Sequence, residues 1–409
     1  MVSPLTIAMP EQLVRDLTAD ASVRRASRFF TEHADEITAE HAAICEIPAP
    51  PFGEGERARW FLQRFRECGL REVEIDGEGN CVGLRRGREL RPLLVVSAHL
   101  DTVFPEGTNV TVRREGSRLL APGIADDSCG LAALLALARA LDAAAVETNG
   151  SLLFAATVGE EGAGNLRGVR YLFGAGRWAN QIDAFLSFDG AGVESITHRA
   201  LGSRRYRVTF EGAGGHSWSD FGAANPVHAL GRAIARLVAY PTPDDPRTTF
   251  NVGRIAGGAG VNVIAREAAM DVDLRSESAA ELQRLDAFFR RVVREAADDE
   301  NAARRPSQSA VPLTIKMELI GDRPGGETPP DAPLVQLAVA ATRHIGHRPQ
   351  FDCSSTDSNI PMAQGVPAIT LGAGGASGSS HTLQEWYDPR GRAIGLQRAL
   401  LVILGTVGA

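Results

Sequence analysis

The sequence predicts an α/β protein, with a mixed sheet between helices, that is interrupted by a smaller α+β domain. In the first 200 residues, short apolar segments such as "LLVV" at 93–96 alternate with helical segments, as in a sheet covered by helices. From residue 203 the strands instead alternate polar and apolar residues, which is typical of a sheet with one exposed face. The first pattern returns after residue 311, so we predict that one domain is inserted into the other.

The predicted α/β domain covers residues 1–202 and 311–409. Helices are indicated where apolar residues recur every three or four positions, and the helix from Cys129 is apolar nearly all round, which predicts that it is buried. Short runs of aliphatic and β-branched residues indicate buried strands. The predicted helices are 24–46, 55–68, 129–144, 165–174, 331–345 and 390–407, and the predicted strands are 72–76, 80–85, 93–98, 151–158, 182–190 and 366–371.

The predicted inserted domain covers residues 203–310. Its order is strand, amphipathic helix, two strands and a second helix, with room for a closing strand, which indicates a compact, ferredoxin-like α+β module. The segment "PLTIKMEL", which begins at Pro312, is assigned to the returning α/β domain.

The composition indicates a globular protein without a membrane span. Of 409 residues, 44% are hydrophobic and 23% charged, and the formal net charge of −7 predicts no affinity for nucleic acid or a membrane surface. The first residues lack the pattern of a signal peptide, and the chain has no apolar run of about 18 residues. The five cysteines form no paired motif, which favours reduced thiols and a cytoplasmic protein.

Acidic and histidine residues lie at the ends of predicted strands, directly before the buried helix (Asp126) and in the loop before the last helix (His381). The carboxyl ends of strands in an open α/β sheet meet at one edge, where ligands bind, so we expect these side chains to lie together. They are His99, Asp101, Asp126, Glu160, Glu161, Asp189 and His381.

So many carboxylates in one crevice would repel one another without a counter-charge. Two histidines and three or four carboxylates suit a pair of divalent cations, for which Zn²⁺ is the first choice and Co²⁺ or Mn²⁺ are possible substitutes. Such a pair needs one bridging carboxylate, and one further carboxylate away from the cations to take a proton from water. The adjacent Glu160 and Glu161 could provide a ligand and that base.

Each residue also has a simpler explanation. Asp126 could be a helix N-cap, Asp189 a turn residue and His381 a surface histidine, while His99 and Asp101 could be an ordinary strand end. The simple explanations together require five coincidences at one sheet edge, so the metal centre is the better hypothesis.

The motifs "SAHLDTVFPEG", "APGIADDSCGLAALL", "VGEEG", "LSFDG" and "SSHTLQEWYD", in this order, resemble the M20 family of co-catalytic zinc metallopeptidases. The resemblance covers most of the chain after about residue 40. It implies a zinc-peptidase-like catalytic domain with an inserted dimerisation, or lid, domain. It also implies two Zn²⁺ per subunit and a homodimer that forms through the lid.

The resemblance also implies individual roles. His99 and Asp189 would bind one zinc ion, with Asp101 behind His99. Asp126 would bridge both ions, and the peptide bond after it would be cis.

Glu161 and His381 would bind the second ion, and Glu160 would be the general base. Within the lid, His216 would reach the partner's active site and polarise the scissile carbonyl, while Asn262 and Arg275 would bind the substrate's carboxylate. The "GAGGHSWSDFG" segment around His216 would also suit a tight loop, and Arg275 could be a surface charge.

The implied reaction is hydrolysis of amide bonds in short peptides, as by an aminopeptidase, tripeptidase or dipeptidase. The alternatives are a carboxypeptidase G2-like enzyme and an N-acyl amino acid amidohydrolase. A different class, a metal-stabilised binding protein without activity, would be favoured if Glu160 or a ligand were missing, but every expected position is filled.

Overall fold

The computed structural model describes residues 9–305 and 311–409, which divide into two units. The larger unit comprises 9–200 and 326–409, and the smaller unit comprises Leu201–Gly325. Residues 1–8 and 306–310, with the predicted domain ends at 1 and 310, lie outside the described residues.

The larger unit contains nine of the described helices and a large mixed sheet. Its helices are α1 (Pro10–Ala19), α2 (Ala21–Glu32), α3 (Ala34–Cys45), α4 (Gly55–Glu67), α5 (Ser128–Ala143), α6 (Arg167–Phe173), α9 (Pro333–His344), α10 (Asn359–Ala363) and α11 (Arg392–Val407). The strands of its large sheet are β1 (Arg71–Ile75), β2 (Cys81–Arg85), β3 (Leu93–His99), β6 (Ser151–Thr157), β7 (Ala184–Phe188), β8 (Ser195–Ala200), β15 (Gly326–Glu327), β16 (Gln350–Ser354) and β17 (Ala368–Leu371). A second, small sheet contains β4 (Arg113–Glu115), β5 (Arg118–Leu120), β18 (Ala376–Gly378) and β19 (Trp386–Asp388).

The large sheet has the strand order β1-β2-β6-β3-β7-β17-β8-β15, with β16 beside β8. Both faces of its central strands are covered. On β3, Leu94 and Val96 pack into the core that includes α5, α9 and α11, while Leu93 and Val95 pack into the core that includes α6. This two-sided burial explains why the strand is a continuous apolar run in the sequence.

The central strands β6, β3, β7 and β17 are mutually parallel. Their carboxyl ends therefore meet at one edge of the sheet, where His99 ends β3 and the loops after β3, β6 and β7 carry Asp101, Glu160, Glu161 and Asp189. The buried helix α5 begins at the same loop region, directly after Asp126 and Asp127. The fold thus positions side chains that are distant in sequence on a rigid, buried frame.

Several predicted elements differ from the structure. The predicted helix 24–46 is two helices, α2 and α3, separated at His33. Strands β8 and β16 were not predicted, because their sequences "SITHRA" and "QFDCS" mix polar with apolar residues and lack a clear period.

The smaller unit contains a four-stranded antiparallel sheet with two helices, as a ferredoxin-like module requires. Its elements are β9 (Gly202–Glu211), β10 (Gly215–His216), α7 (Pro226–Leu237), β11 (Thr248–Gly257), β12 (Val263–Ile264), β13 (Glu267–Ser276), α8 (Ala279–Ala303) and β14 (Thr314–Arg323). The strand order is β11-β13-β9-β14, and α7 and α8 pack on one face around Tyr206, Val208 and Phe210. Strands β10 and β12 form a separate, short antiparallel pair.

The predicted start of the second α/β segment at residue 311 is wrong, because β14 belongs to the smaller unit. Strand β14 pairs with β9 from Thr314 to Arg323, and Ile315 and Met317 pack against the smaller unit's core. The junction lies at residues 325–326. The alternation of polar and apolar residues in "PLTIKMEL" is the signal that indicates a strand with one exposed face.

None of the helices in the described residues combines the length and the apolar character needed to cross a membrane.

A buried hydrogen-bond network connects α3 and α11 with the loop before α5. His41 is fully buried; its Nε2 lies 2.6 Å from the carbonyl oxygen of Ile124, and its Nδ1 lies 2.8 Å from a guanidinium nitrogen of Arg392. Arg392 also donates to the Tyr387 hydroxyl. Since Arg392 can only donate, His41 must be neutral, with Nδ1 as acceptor and the Nε2 proton directed to Ile124. Burial lowers the pKa of His41 well below its usual value, and the charge of Arg392 adds to this effect.

We predict that His41 makes stability depend on pH. When the pH falls below about 6.5, the usual pKa of histidine, the unfolded chain binds a proton at His41 and the folded chain does not. The free energy of unfolding should therefore fall as the pH decreases through that value. His41→Gln should make the free energy of unfolding depend less steeply on pH, by an amount that corresponds to at most one proton. Denaturant titrations across this pH range would measure it. His344 is exposed, so His344→Gln is the matched control and should keep the wild-type dependence of stability on pH. If His41→Gln also kept that dependence, the prediction would be contradicted.

Candidate metal centre

Three groups of potential metal ligands meet at the carboxyl edge of the large sheet. The ligand atoms within each group lie within 4.8 Å of one another. The groups are His99, Asp126 and Asp189; Asp126, Glu161 and His381; and His99, Glu160 and Glu161. The structure thus brings together all of the predicted ligands and Glu160.

Asp126 belongs to two of these groups and directs one oxygen into each. Its Oδ1 lies 3.0 Å from Nε2 of His99, and its Oδ2 lies 3.0 Å from Nε2 of His381. The same His381 nitrogen lies 3.1 Å from Oε1 of Glu161. Asp126 therefore lies where a carboxylate shared by two cations would have to be. The peptide bond between Asp126 and Asp127 is cis, as the resemblance implies.

The environment of His99 requires a positive charge beside it. His99 is buried, and its Nδ1 lies 2.9 Å from the carbonyl oxygen of Asp101, so Nδ1 carries the proton and donates it. In a neutral ring, Nε2 then presents a lone pair to the carboxylate of Asp126. Only a proton or a metal cation between the two atoms makes this contact favourable.

The pKa directions of the centre's residues lead to the same conclusion. Burial alone would lower the pKa of His99, but the nearby carboxylates of Asp101 and Asp126 outweigh it and raise the pKa well above its usual value. Hydrogen bonds with Asp126 and Glu161 raise the pKa of His381 to about 10. Burial, and then the charge of Asp126, raises the pKa of Asp189. These directions favour the charged form of both histidines beside Asp126 and the protonated form of Asp189, so the centre attracts positive charge.

The residues fit divalent cations by their chemistry. Imidazole and carboxylate are ligands for Zn²⁺, and neighbouring ligand atoms on a tetrahedral zinc ion, at bond lengths near 2.0–2.1 Å, lie about 3.3 Å apart. The nitrogen–oxygen distances of 3.0–3.1 Å around Asp126 are close to that spacing. His99 is oriented from behind through Nδ1, as ligand histidines in metal proteins are.

Asp101 supports the centre in a different way from the one predicted. Its main-chain carbonyl, at 2.9 Å, holds the imidazole of His99, while its nearer carboxylate oxygen is 3.6 Å from that ring. The carboxylate accepts the main-chain N–H groups of Glu160 at 3.0 Å and Glu161 at 2.8 Å. Because those two bonds occupy both oxygens, Asp101 mainly orients the turn that carries the two glutamates.

Two more buried carboxylates, for which no role was predicted from the sequence, lie next to the predicted ligands. Asp127 accepts the main-chain N–H of His99 at 3.1 Å and caps α5 through Gly130. Glu385 accepts three main-chain N–H groups of the loop that leads into Asp126, and burial raises its pKa to about 6. The signals in the sequence were the Asp-Asp pair before α5 and the acidic residue four positions after His381.

The predicted lid residues lie in the smaller unit, where two of the three are neighbours. His216 pairs with Val263 across β10 and β12, and the Ser217 N–H donates to the Asn262 carbonyl. His216 is exposed, and its Nδ1 accepts N–H groups of Trp218 at 3.2 Å and Ser219 at 3.4 Å, which leaves Nε2–H as an outward donor.

Arg275 lies near the opposite end of β13 from the loop that contains Asn262, roughly 27 Å along the strand. It forms an ion pair with Asp273 at 2.6 Å. The structure therefore does not bring Arg275 together with His216 and Asn262, and its role in substrate binding stays a prediction.

Comparison with known proteins places the chain in a family. A model of peptidase family M20/M25/M40 matches residues 95–403. The uncharacterized protein YqjE of Bacillus subtilis is 25% identical over 82% of this chain and 89% of that protein. A succinyl-diaminopimelate desuccinylase of Janthinobacterium sp. is 31% identical, but the match covers only 50% of this chain and 58% of that protein.

The aminopeptidase PepT of Bacillus cereus has a similar structure, with a TM-score of 0.74 at 20% identity over 91% of this chain and 98% of that one. At this identity the likeness concerns the fold. The family model, in contrast, extends over most of the chain and includes every predicted metal ligand. The chain therefore belongs to peptidase family M20/M25/M40, and it is a hydrolase of the M20 type.

Proposed function

We propose that this protein hydrolyses amide bonds in short peptides at a centre for two divalent cations, with Glu160 as the general base. The observation that carries the proposal is the position of Asp126, whose two oxygens face two different histidines at 3.0 Å. The contact with His99 requires a proton or a metal cation between the two atoms, because Nδ1 of His99 donates to the Asp101 carbonyl and Nε2 then presents a lone pair.

The side chains divide into two sets of ligands that share Asp126. His99 and Asp189 complete one set, and Glu161 and His381 complete the other. The ligand types suit Zn²⁺ and tolerate Co²⁺ or Mn²⁺. Two cations held there would supply Lewis acidity, which polarises the scissile carbonyl and acidifies water.

The protein's own residues would move the protons and orient the substrate. Glu160 is buried in the turn held by Asp101, and its carboxylate lies within 4.8 Å of ligand atoms of His99 and Glu161, where it can take a proton from water and transfer it to the leaving amine. His216, with Nε2–H directed outward, can donate a hydrogen bond to the oxygen that gains charge during attack. Asn262, which lies next to His216, would bind a carboxylate of the substrate.

Two classes of substrate suit this chemistry. Both a short peptide and an N-acyl amino acid present an amide bond next to a charged terminus. We favour short peptides, on the resemblance of the loop "CSSTDSNIPMAQGVPAITLGAGG" to the peptidase T branch of the family. The similarity to a desuccinylase over half of the chain favours an N-acyl amino acid as the second candidate.

A homodimer formed through the smaller unit follows from the proposed role of His216. Strands β11 and β14 form the two edges of that unit's sheet, and β14 exposes Leu319 and Ile320. An exposed apolar edge strand is suited to pairing with a second chain. We also propose that the protein acts in the cytoplasm, where its five free thiols stay reduced.

Replacing Glu160 or Asp126 by its amide should affect catalysis and metal binding differently. Glu160→Gln should keep two bound metal ions and lose about 10²- to 10⁴-fold in kcat, because only proton transfer is removed. Asp126→Asn should lose metal, because it weakens both ligand sets. The test is to measure metal content after dialysis together with activity in each variant. The wild-type protein, stripped with a chelator and then reloaded with metal, is the reference. A fully active Glu160→Gln variant would show that another group is the base.

The substrate class is testable with a panel of dipeptides and tripeptides beside N-acetyl and N-succinyl amino acids, each assayed for release of the free amine with zinc, cobalt or manganese. We expect the highest kcat/KM with short peptides. Turnover of the acyl substrates alone would overturn the preference for peptides and favour the second candidate.

Mixing two inactive variants tests whether His216 acts in the partner subunit. In a mixed dimer of Glu160→Gln and His216→Ala chains, one site would combine an intact Glu160 with His216 of the partner subunit. Statistical mixing of equal amounts should then restore roughly a quarter of wild-type activity. If His216 acts in its own subunit, or if the protein is a monomer, the mixture should stay as inactive as its components.

A further inference from the structure

Glu385 is a fully buried carboxylate to which the proposed reaction assigns no role. Its Oε1 accepts the main-chain N–H groups of Ala125 at 2.7 Å and Asp126 at 2.9 Å, and its Oε2 accepts that of Gly123 at 3.0 Å. All three donors belong to the loop that leads into Asp126. One side chain thus determines the path of the main chain before the shared carboxylate.

The main chain of Glu385 also connects this loop to the turn that carries His381. The Ala121 N–H donates to the Glu385 carbonyl at 3.2 Å, and the Glu385 N–H donates to the Thr382 carbonyl at 3.2 Å. The next residue, Trp386, begins β19 and pairs with Leu120 of β5. The connection joins two segments that are distant in sequence and that both carry ligands of one predicted cation.

A buried carboxylate is a costly choice for a purely structural contact. Its charge loses hydration and lies close to the negative side chains of the centre, so it is tolerated only with strong hydrogen-bond donors. Bonds from N–H groups to an ionised acceptor are shorter and stronger than bonds to a neutral acceptor. They would hold the main chain of Asp126 more rigidly than an amide or hydroxyl could.

We infer that Glu385 is a positioning residue, which orients Asp126 so that one carboxylate oxygen faces each ligand set. The inference rests on the proposed two-cation centre. Residues that hold metal ligands in place typically contribute 10- to 100-fold to metal affinity. Glu385 therefore determines how tightly the centre binds its cations, although it touches neither cation nor substrate.

Glu385→Gln has nearly the same size and tests this role. An amide oxygen can keep the bonds from Ala125 and Asp126, but its NH₂ group must then face the N–H of Gly123. We expect about 10- to 100-fold weaker Co²⁺ binding when the chelator-stripped protein is titrated, with an altered visible spectrum of the cobalt form. Glu385→Asp, which keeps the charge but is too short to reach all three donors, should also bind Co²⁺ more weakly.

The matched control is Asp286→Asn, in the smaller unit. Asp286 is also a buried carboxylate, which accepts hydrogen bonds from Tyr206 at 2.5 Å and Arg204 at 2.7 Å, away from the predicted ligands. This variant should have a lower Tm and wild-type Co²⁺ affinity. The rise in Tm on adding Co²⁺ is a second measurement, and it should shrink in the Glu385 variants only.

The outcomes separate the inference from the proposed function. Wild-type Co²⁺ affinity in Glu385→Gln, or an equal loss of affinity in Asp286→Asn, would overturn the positioning role. If the Glu385 variants have a lower Tm without metal but an unchanged rise with Co²⁺, the residue is merely structural and the inference is wrong. Failure of the wild-type protein to bind Co²⁺ at all would instead refute the two-cation centre.

Discussion

The carboxylate of Asp126 between two histidines is the interaction on which the rest of the site depends. His99 follows a central strand, and His381 lies in a loop near the end of the chain, yet both ring nitrogens lie 3.0 Å from the same side chain. The contact with His99 requires a proton or a metal cation between nitrogen and oxygen, because Nδ1 of His99 already carries the ring's proton. The loops at this edge of the sheet bring two groups of potential metal ligands together around Asp126, and the catalytic proposal follows from that arrangement.

Three of the predicted ligands are held through their main chain by further carboxylates. Asp101 accepts the N–H of Glu161, Asp127 accepts that of His99, and Glu385 accepts that of Asp126. All three carboxylates are fully buried. A main-chain anchor leaves the ligand's own side chain available for a cation, and it fixes the direction in which that side chain leaves the backbone. This arrangement explains why one crevice contains more acidic groups than two cations need.

Patterns in the sequence predicted much of the fold and most of the residues in the centre. The apolar runs of β3 and β6 and the all-round apolar helix α5 are local signals of burial on both faces, and burial depends directly on side-chain chemistry. His99 and Glu161 follow predicted strands, while Asp126 and His381 precede predicted helices, and these positions indicated a shared site. The polar strands β8 and β16, and the membership of β14 in the smaller unit, were not predicted, because pairing partners far away in the sequence decide them.

The sequence by itself determined which chemical groups the protein possesses and which faces of its strands and helices must be buried. It did so because hydrophobic periodicity and residue type are local properties. Only the tertiary structure decided what those groups do to one another. It placed the carboxylate of Asp101 on the main chain of Glu160 and Glu161 instead of on His99, and it brought Glu385 against the loop of Asp126. Hydrogen-bond partners are selected by distance and direction in space, and a buried carboxylate must find donors wherever the folded chain supplies them.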